Sequence, residues 1–162
     1  PVSRIYSSPI RRCKQTAAEL FQDQKIVTDD RLVEFDYGEA EGLTYEAFSV
    51  RYPAVVSALA NGEDPSFSNG EHTRDVNMRL NHFLDNLVTN LNPSERIGVV
   101  THNGVLRCLL GSVLGLPLEA WHKLFIPHTI QLDFLLWRDR FYPNFPRPIW
   151  AQIFCNICTN RL

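Results

Sequence analysis

Three stretches of this chain carry side chains suited to oxyanion chemistry. Arg11 and Arg12 follow the run Ser7-Ser8-Pro9-Ile10. Glu34, Asp36, Glu39 and Glu41 place four carboxylates within eight residues. His102 lies in R-I-G-V-V-T-H-N-G-V-L-R, Arg96 to Arg107. Fixed cationic and N–H donors can hold a phosphoryl group, and a carboxylic acid can protonate a leaving oxygen. Each stretch also has a plainer reading. An arginine pair or a loop carboxylate can simply be solvated, and a lone loop histidine is a weak sign of catalysis. Spacing alone does not choose among the four carboxylates.

The local elements decide what these groups can reach. Ile97, Val99 and Val100 read as a short buried strand, Thr101 to Gly104 as a turn, and Val105 to Leu114 as a helix with an apolar face. His102 then sits at a strand end. The N–H groups of Asn103, Gly104 and Val105 lie beside it at a helix N-terminus, where orphan donors and the positive dipole end favour phosphate. Gly104 allows close backbone approach. A second strand-helix unit opens the chain. Val2, Ile5 and Tyr6 form a strand, Ser8 is a plausible N-cap, and Pro9 starts a helix that runs to about Gln24. Arg11 and Arg12 occupy its first turn, the wrong end for a cation unless an anion binds there. The acidic stretch, punctuated by Gly38 and Gly42, is too irregular for a helix.

Elsewhere the pattern alternates. Thr44 caps a helix from about Tyr45 to Arg51, and Ala54 to Ala60 forms another short one. A turn-rich loop, Asn61 to Gly70, precedes a long helix from Thr73 to Leu91. Leu118 to Leu124 reads as a short helix, Thr129 to Trp137 as a strand, Arg138 to Pro148 as a proline-containing loop, and Ile149 to Cys155 as a last strand. The tail from Asn156 to Leu162 reads as frayed. Strands alternating with helices give an α/β layer fold with a largely parallel sheet, in one domain over 1–162.

Composition narrows the partners. The chain has 162 residues, 44% hydrophobic and 21% charged, with a net charge of -2. That balance argues against a nucleic-acid footprint. No apolar run reaches the length of a membrane span. Cys13, Cys108, Cys155 and Cys158 follow no secreted disulfide framework, so a cytoplasmic setting is the default. The C-x-x-C pair at Cys155 and Cys158 lacks two further ligands nearby in sequence, and no metal site is expected.

Taken together, four segments resemble one family. I-Y-S-S-P-I-R-R-C-K-Q-T-A (5–17) is similar to the S-x-L-x-R-A-x-Q-T-A segment of the histidine phosphatase superfamily, the phosphoglycerate mutase-like proteins. L-V-E-F-D-Y-G-E-A-E-G (32–42) resembles its L-x-E-x-x-Y-G-x-x-E-G. Gly70-Glu71 resembles its G-E-S, with His72 in place of the serine. V-V-T-H-N-G-V-L-R (99–107) resembles its second histidine motif. The resemblance implies a three-layer α/β/α sandwich of phosphoglycerate mutase-like fold. It implies that Arg12 binds phosphate, that Glu34 protonates the leaving oxygen, that His102 holds phosphate charge in the transition state, and that the amide of Asn103 supports the same oxygens. Glu71 and Arg79 are weaker carry-overs, with structural ion pairing as the alternative. No cofactor or metal is implied, and the partner is a small phosphorylated metabolite.

One departure shapes the expectation. The family's nucleophile is a histidine in R-H-G, at the end of the first strand, and that motif is absent from this sequence. The missing unit, a strand, a loop and a helix, would span about 30 residues or more before Pro1. The expected function is therefore a phosphomonoester hydrolase acting through a phosphohistidine whose nucleophile lies outside these residues. Mutase-type transfer between hydroxyls is the sister possibility. The alternative from another class is a non-catalytic phosphate-binding domain.

Overall fold

The computed structural model describes residues 2–92, 95–138 and 140–144. Three parallel strands form its sheet in the order β2-β1-β3: β1 is Arg4–Ser7, β2 Ile26–Thr28 and β3 Ile97–Val100. The register pairs Ile5 with Ile26 on one side and with Gly98 on the other. Among the described residues β3 pairs only with β1, so its outer edge carries no strand, and Val99 on it is 40% exposed.

Helices cover both faces, which makes the α/β sandwich. Helix α1 (Arg11–Leu20) packs by Ala17 against the face that carries Ile5, and both residues are buried. Gly98 lets this helix's end come close: a Cβ there would stand 2.8 Å from Cζ of Phe21. On the other face lie α4 (Thr73–Thr89) and α5 (Asn103–Val113). Their apolar stripes bury Val76, Leu80, Phe83, Leu87, Val105 and Cys108 in one cluster with Leu32, Phe35 and Trp121. Tyr6 of β1 meets Phe83 edge to face at 5.4 Å. Two short helices, α2 (Tyr45–Arg51) and α3 (Pro53–Ala60), follow the acidic segment. Thr44 caps α2 as expected, its hydroxyl accepting from the Ala47 N–H at 3.2 Å.

Three expectations need correction. Helix α1 starts at Arg11 with Ile10 as its N-cap, not at Pro9 behind Ser8, and it ends at Leu20 rather than near Gln24. The Ser8 hydroxyl is drawn to a distant partner, described below. The strand expected from Thr129 begins at Asp133, because Thr129 turns the chain at φ 61. Part of the stretch read as a loop is strand: β4 (Asp133–Trp137) pairs antiparallel with β5 (Arg140–Asn144), Leu135 opposite Tyr142. Pro143 is tolerated there because, among the described residues, β5 has a strand on one side only, so its missing N–H breaks no inner ladder. The expected strand from Ile149 to Cys155 lies outside the described residues.

Candidate active site

The site is built from two strand-helix corners that meet. The first follows β1. Ser7 and Ser8 at its end are fully buried. The Ser8 Oγ accepts from the Ile10 N–H at 3.3 Å and lies 2.8 Å from Nε2 of His102. The Ser8 hydroxyl and Nε2 share one hydrogen bond, whose donor is set by the ring's tautomer. The N-terminus of α1 has no side-chain cap and no acidic residue in its first turn. Arg11 and Arg12 stand there, both exposed. Open N–H groups, the positive dipole end and two guanidinium groups form the cationic rim of the site.

The second corner follows β3. His102 is the N-cap of α5 and is only 5% exposed. Burial, then the charges of Arg12 and Arg79, pull its pKa down to about 4. The imidazole is therefore neutral at pH 7 in the unliganded protein, and it serves as a hydrogen-bonding group rather than a cation. The Cys13 sulfur lies beside the ring, 3.4 Å from Nε2 and 3.7 Å from Nδ1.

Glu34 closes this second corner. Its Oε1 accepts from the Gly104 N–H at 3.1 Å and from its neighbour Phe35 at 2.9 Å. The close approach needs a glycine, since a Cβ at 104 would stand 2.6 Å from Oε1. The expectation that the Gly104 N–H awaits an external oxyanion is thereby corrected: the chain's own carboxylate already occupies it. Oε2 of Glu34 has no hydrogen-bond partner among the described residues, so it is the oxygen open to carrying a proton.

Asn103 is tied elsewhere. Its side-chain nitrogen donates to the Ile126 carbonyl at 2.6 Å. What it leaves for a ligand is the backbone N–H at the start of α5. Glu71 and Arg79 pair at 2.8 Å and act as a brace. Arg79 also donates to the carbonyls of Arg31 at 2.7 Å and Glu34 at 3.2 Å, while Glu71 accepts from the Asp36 N–H at 3.0 Å. Together they hold the segment that presents Glu34. The other three carboxylates of that segment tie turns: Asp36 accepts from Gly38, Glu41 from Tyr37, and Glu39 from Asn69.

The remaining described histidine side chains make no hydrogen bond to His102, Glu34 or Arg12. His72 starts α4 with Nδ1 on the Asp64 carbonyl, and His82 and His128 are exposed. Sequence reasoning missed Ser8, taken only as a cap, and Cys13, weighed as a disulfide partner. It also passed over Arg107, whose buried Nε has no partner and which stands one turn beyond Gly104 on α5. The one available signal was that Ser8 and Cys13 bracket Arg12 within a single motif. No cluster of three or more metal-ligating side chains occurs among the described residues. No described helix is long and apolar enough to cross a membrane.

The site thus consists of a strand-end histidine buried beside an arginine-bearing helix start, with a glutamate seated on the histidine's own helix. The model of the histidine phosphatase superfamily (branch 1) matches residues 1–141, and the chain belongs to that superfamily. It is 31% identical over 128 residues to fructose-2,6-bisphosphatase of Saccharomyces cerevisiae, covering 78% of this chain and 27% of that protein. It is 29% identical over 122 residues to phosphoserine phosphatase 1 of Hydrogenobacter thermophilus, covering 72% of this chain and 56% of that one. The chain thus spans only part of the curated relatives it matches. Among solved structures, phosphoserine phosphatase from Entamoeba histolytica in complex with 3-phosphoglyceric acid superposes with TM-score 0.76 at 23% identity, over 89% of this chain and 73% of that one. At that identity the superposition establishes the fold alone.

Proposed function

We propose that this chain is the phosphate-handling part of a phosphomonoester hydrolase that works through a phosphohistidine, with the nucleophilic histidine supplied by sequence outside these 162 residues. The observation that carries the reading is Glu34. One carboxylate oxygen is fixed by two backbone N–H groups while the other is unpartnered beside the His102 corner. The unpartnered outer edge of β3 supports placing a further strand next to His102.

The steps balance as follows. The histidine nitrogen attacks phosphorus, forming the N–P bond as the P–O bond to the alcohol breaks. Glu34 gives its proton from Oε2 to that leaving oxygen. Water then attacks phosphorus. Glu34 recovers a proton from it, the N–P bond breaks, and inorganic phosphate leaves. Arg12, the N–H of Asn103 and His102 hold the equatorial oxygens throughout. No metal or cofactor enters this scheme. If a second hydroxyl replaces water, the same parts perform mutase-type transfer.

The substrate is a small phosphorylated metabolite carrying a second acidic group. The superfamily relatives are named for fructose 2,6-bisphosphate and phosphoserine, and each of those molecules has one. Arg107, one turn beyond Gly104 on α5, is the cation proposed for it. The chain is expected to work in the cytoplasm.

The test uses para-nitrophenyl phosphate and inorganic phosphate. The 162-residue chain should bind phosphate, lose about tenfold to a hundredfold in affinity on Arg12→Ala, and hydrolyse nothing above buffer. The protein purified from its natural source, sequenced at its N-terminus, should carry R-H-G and turn the ester over. Hydrolysis by the short chain that vanishes on His102→Ala would put the nucleophile at His102 and overturn the proposal. The absence of R-H-G from this sequence also favours a second reading, a phosphate-binding domain without turnover. A natural protein that starts at Pro1 and binds phosphate without hydrolysis would establish that reading instead.

A further inference from the structure

We propose that Cys13 is a positioning residue for His102: its sulfur packs against the imidazole and its thiol holds the backbone that carries the ring. The contact is specific in place. The sulfur lies at nearly equal distances from the two ring nitrogens, 3.4 and 3.7 Å, so it covers the part of the ring between them and leaves the end of Nε2 to Ser8. The same thiol donates to the Thr101 carbonyl at 3.4 Å. Thr101 is held from its other side as well, its hydroxyl donating to the Leu32 carbonyl at 2.8 Å. Ring and backbone at the end of β3 are thus gripped together.

The thiol is not itself a nucleophile here. Cys13 is 4% exposed, and burial pushes its pKa up, so it stays protonated at neutral pH. The other described free thiol gives a contrast. Cys108 is as deeply buried but belongs to the apolar cluster under α5. Burial alone does not create the role; the ring contact and the Thr101 bond do.

The consequence falls on His102. The charged groups around it are Arg12 from α1 and Arg79 from α4, with Glu34 close enough to act on Cys13 from the acidic segment. Both arginines disfavour the imidazolium, and the sulfur keeps water off the ring. Removing the sulfur admits water and loosens the ring while leaving those charges in place.

The experiment follows His102 by nitrogen NMR in the full chain, with inorganic phosphate as the probe. In the wild type one nitrogen should be pyrrole-like and the other pyridine-like, with a titration midpoint near 4. In Cys13→Ala the two nitrogen signals should move toward each other as tautomers mix. The midpoint should rise by about one pH unit or more, and the acid limb of phosphate binding should move with it. Cys13→Ser keeps a donor for Thr101 and should fall between. A folded Cys13→Ala or Cys13→Ser protein with unchanged His102 tautomer and midpoint overturns the proposal. The role of His102 rests on the proposed phosphate function, but the NMR readout does not. Failure of the wild type to bind phosphate would sink that function and leave the positioning intact.

Discussion

Two helices point their N-termini at this site, and the chain treats them in different ways. At α5 the first turn is partly filled: His102 is the N-cap, the Glu34 carboxylate takes the Gly104 N–H, and the Asn103 N–H is left for a ligand. At α1 the first turn is open, with an uncapping Ile10, no acidic residue and two arginines. Helix N-termini attract anions equally by their dipoles. The difference lies in what the chain has already spent there. The chain's own carboxylate takes part of α5, which shares the ligand through the Asn103 N–H, whereas α1 is left wholly to the ligand. The division separates proton delivery at Glu34 from phosphate holding at Arg12.

The largest effect should come from Glu34→Gln. Glutamine keeps an oxygen for the Phe35 and Gly104 N–H groups but has no acidic proton. Turnover by the natural-length protein should fall by about a hundredfold to ten-thousandfold. Phosphate affinity and folded stability should change little, by less than about 1 kcal/mol for stability. A matching collapse of phosphate binding would mean that Glu34 holds the ligand and that the division is wrong.

Next comes the pH dependence that His102 confers. Its pKa falls from 6.5 in the unfolded chain to about 4 in the native protein. Between those values the unfolded chain binds the extra proton. The stabilisation is therefore complete above pH 6.5 and is lost as pH falls toward 4. It amounts to about 2–3 kcal/mol. Urea unfolding at pH 7 and pH 4.5 measures it, and His102→Gln should flatten that part of the profile. A slope that survives the substitution would move its origin to other groups.

Gly104→Ala tests the partly filled helix directly. The new methyl, 2.6 Å from Oε1 of Glu34 and 3.2 Å from Cβ of Phe35, must push the carboxylate off the N–H. The expected cost is about 1–2 kcal/mol, from the displaced hydrogen bond and local overpacking. Thermal unfolding reads it. An alanine variant of full stability would mean that Glu34 is not tightly seated.

How much of this was legible in sequence follows the range of the forces involved. β1, β3, α4 and α2 with its Thr44 cap were readable because periodicity and capping are local. The family motifs picked out Arg12, Glu34 and His102. What was illegible joined residues far apart in the chain. Ser8 looked like a cap for the residues just after it, and nothing local shows that its hydroxyl meets His102, 94 positions on. The filling of the α5 N-terminus by Glu34, across 70 positions, was hidden in the same way. The contacts of Cys13 with Thr101 and His102, 88 and 89 positions on, left no trace in the local pattern. At β5, Pro143 reads as loop because nothing local announces the pairing of this stretch with β4.

The smallest effect bears most directly on the open helix. Ile10→Asp would place a good capping oxygen at the N-cap of α1, within reach of the first-turn N–H groups. It would also set a negative charge at the positive dipole end, between the β1 corner and Arg12. Ile10 is only partly buried, so the apolar packing it gives up is limited. The net change in stability should be within about 1 kcal/mol and, if anything, favourable. Phosphate affinity should move the other way, falling by about threefold to tenfold, because the introduced carboxylate competes for the donors the ligand uses. Titration calorimetry with inorganic phosphate, beside thermal unfolding of the same sample, reads both signs at once. Greater stability with undiminished phosphate affinity would show that the ligand does not sit at α1, and the contrast between the two helices would have to be redrawn around α5.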